Sequence, residues 1–198
     1  LSMGGDYSIT KKLRFTSNLL WSNLYTQNYP PVGYANDQVY YNTVMYMGAN
    51  TDIRDLRNYW EEGQEGYQLY NFNHIWFQNP WFLAYEYLRP YSKKRVVASA
   101  SLDHTLGKNT NILMKAGHDN QYTVNETKKP YAWVSGETGA YSRNTYDESL
   151  LDVNLILTSK QKAGGLGMDF MAGANWNELV INSLNGATNG GLIIPGIY

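Results

Sequence analysis

Three histidines, His74, His104 and His118, are the side chains here whose ordinary titration lies near neutrality. None stands in a spacing that chemistry uses. No nucleophile elbow, no metal-binding histidine pair and no phosphate loop occurs, and there is no cysteine. His104 and His118 flank a predicted turn on the apolar parity of their strands, where a base faces lipid or a core rather than a substrate. The sequence therefore predicts no enzyme, no catalytic residue, no metal site and no cofactor. What it offers instead is rings. Residues 28–94 hold 17 aromatic residues, more than half of the chain's total. Faces of Trp and Tyr stack on sugar rings and on peptide side chains while keeping a polar edge. Most of these rings are expected to pack on one another as a small core of the segment itself. The ligand-contact candidates are Trp60, Trp76, Trp81, Tyr85 and Tyr87, with Arg89 as a hydrogen-bond donor. Trp76 and Trp81 are preferred, because "HIWFQNPWF" sets large rings around a proline break.

The elements that must carry this segment read as strands. In "LRFTSNLLWSNLYTQ", Leu13, Phe15, Leu19, Trp21 and Tyr25 share one parity, and Arg14, Thr16, Asn18, Ser22 and Thr26 the other, with Leu20 and Leu24 as exceptions. A period of two marks a strand with one apolar face. The pattern recurs at 1–9, 95–106, 111–119, 150–158 and 166–177, which makes about six strands. Short polar connections at 10–12, 107–110 and 159–165 alternate with long ones at 28–94, 123–140 and after 177. In an up-and-down barrel every second connection lies on the same side. Short turns on one side and long loops on the other is the pattern of bacterial outer-membrane barrels. Trp21, Tyr25 and Trp176 sit at the long-loop ends of their strands, which suits an interfacial girdle. Within the long segment, "TDIRDLRNYWEEG" predicts a short helix capped by Thr51 and closed by Gly63.

The fold class expected is thus all-β: antiparallel, up-and-down transmembrane β-barrel strands, with long and partly helical extracellular loops. A net charge of −1 over 198 residues gives no electrostatic case for nucleic acid. No run approaches the roughly eighteen apolar residues of a transmembrane helix. That leaves a β-barrel open, because alternating strands average out in any hydropathy window. The ends, "LSMGGDYSIT" and "GLIIPGIY", read as cuts through a longer polypeptide.

Four pieces resemble one family in order along the chain. They are "LRFTSNLLWSNLYTQNYPP", "NPWFLAYEYLRPYSKKRVVASASLDHTL", "NILMKAGHDNQYT" and "GLIIPGIY". Together they resemble the middle of a SusC-like (RagA-like) TonB-dependent outer-membrane transporter of Bacteroidetes. The resemblance implies that residues 1–198 are part of a receptor β-barrel domain of about 22 strands. Strands would occupy 1–27 and 95–177, the aromatic-rich loop 28–94, and the start of another long loop 178–198. It further implies nutrient uptake across the bacterial outer membrane, with import of glycan oligomers or peptides. TonB would supply the energy through a segment absent from this chain, and a SusD-like surface lipoprotein would act as partner. The apolar strand faces would then look at outer-membrane lipid. The 28–94 segment is expected to fold over the barrel's outer mouth or inner wall and to contact ligand.

The competing reading from another class is a soluble, secreted β-rich glycan-binding module, which would use the same alternation to bury a core. A passive porin shares the barrel but lacks the plug that the resembled transporters carry inside theirs.

Overall fold

The computed structural model describes residues 1–29, 32–134 and 136–198. Pro30 and Pro31, quoted above within the resemblance, and Ser135, within the expected 123–140 connection, lie outside the described residues. Six strands form one sheet in the order of the chain: β1 (Ser2–Thr10), β2 (Leu13–Thr26), β3 (Tyr91–Thr105), β4 (Thr110–Lys129), β5 (Ala140–Ala163) and β6 (Leu166–Ala187). The sheet is antiparallel and up-and-down, and it does not close on itself.

The register of the first hairpin sorts side chains as the alternation requires. Met3 lies opposite Leu19 and Tyr7 opposite Phe15 on one face; Gly4 lies opposite Asn18 and Asp6 opposite Thr16 on the other. Polar contacts mark that second face across the sheet. Asp6 accepts hydrogen bonds from Arg14 Nε at 2.6 Å and Thr16 Oγ1 at 2.9 Å. Arg95 of β3 pairs with Asp119 of β4. The Asp152 carboxylate of β5 accepts from Asn175 Nδ2 at 3.0 Å and Asn177 Nδ2 at 3.2 Å, both on β6.

By its contacts the chain divides into two compact units. One comprises Leu1–Leu24, Lys93–Thr123 and Tyr146–Ser183; the other comprises Tyr25–Ser92, Val124–Thr145 and Leu184–Tyr198. The first unit is most of the sheet, with its short turns. Among its described residues, no hydrophobic side chain is buried. Phe170 is 56% exposed and Trp176 59%. On β6 the apolar parity runs from Leu166 to Trp176, eleven residues, before Glu178 interrupts it. The second unit holds the core: Leu69, Phe82, Leu83, Tyr87 and Trp133, with Tyr59 and Trp60 packed against it.

Several boundaries differ from the sequence reading. β4, β5 and β6 run to Lys129, from Ala140 and to Ala187, well past the ends expected at 119, 150 and 177. The cause is visible on the apolar parity itself, which turns polar while the ladder continues. His118 Nε2 and Ser149 Oγ bond at 2.9 Å, and Asn120 Nδ2 donates to Asp147 Oδ1 at 3.1 Å. Once polar groups occupy both faces, alternation no longer reports a strand. The expected turn at 159–165 contracts to Gly164 and Gly165, with Gly164 at φ +63°. The helix expected from Thr51 is only a single 3-10 turn, Asp55–Arg57. Thr51 does not cap it: Arg54 is the N-cap and no side chain caps the turn, Asp52 Oδ1 accepting instead from Arg54 N at 2.9 Å just before it, and Trp60 leaves the helical path to bridge Leu69. Pro80 does not break the chain either; it opens a helix.

Candidate functional site

The second unit carries the aromatic segment, and one buried amide organises it. Asn79 is fully buried. Its Nδ2 donates to Leu56 O at 2.8 Å and Tyr70 O at 2.9 Å. Its Oδ1 accepts from Trp81 N at 2.8 Å and Phe82 N at 3.4 Å, capping the helix Pro80–Tyr85. Asn as N-cap followed by Pro at the first helical position is a favoured start, since proline lacks only an N–H that would have had no partner.

This helix sends its residues two ways. Phe82 and Leu83 enter the core. Trp81 and Tyr85, four residues apart and so on one helix face, stack with parallel rings, centroids 6.0 Å apart and planes within 5°. Trp81 is held from below: its Nε1 donates to Ile53 O at 2.7 Å, and the Arg57 guanidinium lies 5.7 Å from its ring centroid. Tyr85 remains 59% exposed. The result is a ring platform fixed at one end and open at the other. Trp76, 67% exposed, sits in a separate tight turn that Asn73 caps, its Oδ1 accepting from Ile75 N at 3.0 Å and Trp76 N at 2.8 Å.

The other sequence candidates hold the structure together. Trp60 meets Phe82 edge-on at 5.6 Å. Tyr87 is buried, and its hydroxyl donates to Asp37 Oδ2 at 3.2 Å. Arg89 donates from one Nη to Asp37 Oδ2 and to Tyr87 Oη, each at 2.8 Å, and lies over the Tyr87 ring at 4.9 Å. Burial pushes the Tyr87 hydroxyl above its ordinary range, with Arg89 pulling against it. Burial, then the bond to Glu86, pushes Tyr59 up to about 12. So of six candidates the structure exposes Trp76 and Tyr85, leaves Trp60, Trp81 and Arg89 half-buried, and buries Tyr87.

A cleft of about 390 Å³ brings in residues outside those six candidates: Tyr67, Asn73, His74, Tyr131, Glu137 and Thr138 line it. The Tyr67 and Tyr131 rings meet edge to face at 6.5 Å at its side. Amides, hydroxyls and exposed rings together suit a polar ligand with flat apolar faces. A separate cavity of about 490 Å³ has Val39, Leu83 and Tyr87 on its lining, with Asn28, Asp37 and Thr43 among them. Those polar groups are already engaged: Asn28 with Ala84 O and Arg89 N, Asp37 with Arg89, Thr43 with Val39 O. This second space takes apolar groups more readily than hydroxyl-rich ones.

Among the described residues, no group of three or more potential metal ligands comes together. No protein-family profile matches the chain, and no curated protein matches it.

Proposed function

We propose that this chain is a stretch of barrel wall and outer loop of a SusC-like TonB-dependent outer-membrane transporter. In this reading it imports glycan oligomers or peptides, with energy from TonB and a SusD-like surface lipoprotein as partner. One observation carries the membrane part of the proposal: a six-stranded sheet unit that buries no hydrophobic side chain among its described residues while exposing an apolar band along one parity. A water-soluble sheet of this size covers its apolar face with a second layer. A sheet in a membrane leaves that face to lipid and turns its polar face to an aqueous lumen. The band's length on β6, eleven residues, agrees with the roughly 9–11 that a tilted strand needs to cross a bilayer. The sorted connections and the four resembling sequence pieces support the family. The Trp81–Tyr85 platform and the Tyr67–Tyr131 cleft supply the ligand surface.

Topology labelling tests this. Cysteines placed at Glu62 and Asn189, in the long connections, react with an impermeant thiol reagent on intact cells. Cysteines at Asn109 and Gln161, on the short-turn side, react only after the outer membrane is opened. Labelling of a short-turn site in intact cells would contradict the proposed orientation.

A further inference from the structure

The short connections carry a charge that neither the ligand surface nor the barrel wall uses. Lys11 and Lys12 form the tip between β1 and β2, and Lys108 stands in the 107–109 turn between β3 and β4. All three are exposed. Among the described residues, none of them has a carboxylate within ion-pair range. Backbone bonds hold the two turns together: Thr105 N donates to Lys12 O at 2.8 Å, and Leu106 N to Thr110 O at 3.0 Å. The lysines also directly border the apolar parity. Ile9 and Leu13 flank Lys11 and Lys12; Leu106 and Ile112 flank the Lys108 turn. Ile9 and Leu106 are themselves exposed. The third hairpin differs: its lysines, Lys160 and Lys162, lie within β5 on the polar parity of Asp152 and Asn154, and Lys160 lies 4.0 Å from Asp169.

We propose that Lys11, Lys12 and Lys108 form a contact site for the headgroups of anionic phospholipid at the short-turn edge of the apolar band. The inference rests on the reading of that band as lipid-facing. A lysine whose stem lies on apolar surface extends its ammonium to the nearest aqueous boundary. At the rim of a lipid-facing band, that boundary is the layer of headgroup phosphates. Zwitterionic headgroups offset their phosphate with their own ammonium, so an unpaired lysine cluster favours lipids that carry net negative charge. Continuity with the apolar band distinguishes these three lysines from Lys160 and Lys162, which face the polar side.

The test uses the protein reconstituted in phosphatidylcholine bilayers that contain a trace of spin-labelled lipid. The motionally restricted fraction is compared for phosphatidylglycerol and phosphatidylcholine labels. The native protein restricts phosphatidylglycerol several-fold in preference, and molar salt abolishes the preference. K11Q/K12Q/K108Q removes it, K108Q alone reduces it, and K160Q/K162Q leaves it intact. Equal restriction of both lipids by the native protein, or an undiminished preference in the triple variant, overturns the lysine site while the membrane reading stands. Absence of a restricted component for either lipid overturns the membrane reading itself.

Discussion

Single side chains divide here between those that hold the loop unit and those that stay available. Tyr85 is available in a fixed geometry, since it stacks on the half-buried Trp81 ring that Ile53 and Arg57 hold. A stacked ligand contact contributes on the order of 1 kcal/mol beyond buried area. Tyr85→Ala is therefore expected to weaken ligand binding by roughly fivefold to tenfold with little change in thermal stability. Trp60→Ala, which removes a ring packed on Phe82, is expected to lower stability first. Ligand titration beside thermal unfolding separates the two, and equal stability losses would mark the platform as packing. Tyr59 gives a second prediction at this scale. Its ordinary value of 10.0 is raised to about 12 in the fold, by burial and then by Glu86. The fold thus holds the phenolic proton more tightly than the unfolded chain does. The stabilisation is complete below the unfolded value and is lost as pH rises through the folded one. Near-ultraviolet circular dichroism should report loosening of the loop core between about pH 10 and 12, and Tyr59→Phe should diminish it. A signal flat across that window, alongside tyrosinate formation, would refute the assignment.

At the level of elements, alternation was legible because a strand with one apolar face writes its period directly into the sequence. It located all six strands. It lost their far ends, where His118, Asn120, Asp147 and Ser149 make the apolar parity polar but the backbone ladder persists. The helix Pro80–Tyr85 was hidden by its proline, which reads as a break until Asn79 is seen capping it. The overlong helix at 51–63 came from its apolar spacing, which the Asp52 turn and the Trp60–Leu69 bridge override. The Tyr67–Tyr131 cleft left no local signal. Its two walls are far apart in sequence, and long-range backbone pairing near them, such as Leu88 with Lys128, is invisible to periodicity. Strand faces carry their own prediction. Arg at Val153 or Phe170, on the apolar parity, should destabilise by roughly 2–4 kcal/mol if mid-bilayer, whereas Arg at Asn154 or Asp169 should be tolerated. Reversible unfolding in lipid vesicles measures both, and equal damage at both parities would point to a packed interior instead.

For the molecule as a whole, the two units differ in what stabilises them. The loop unit folds around buried rings and a buried capping amide, as a small water-soluble domain does. The sheet unit has its ladder and its polar-face bonds but no core, so its apolar face is stable only beside something apolar. Lipid is the solvent proposed for that face. The most direct test of that proposal is a nitroxide scan along β6 from Gly167 to Asn177 in the reconstituted protein, with collision rates measured for oxygen and for a water-soluble nickel complex. A lipid-facing band predicts a period of two: oxygen-accessible labels at Met168, Phe170, Ala172 and Ala174, and nickel-accessible labels at Gly167, Asp169, Gly173 and Asn175. Nickel access at both parities, or access by neither reagent at the apolar positions, would contradict it.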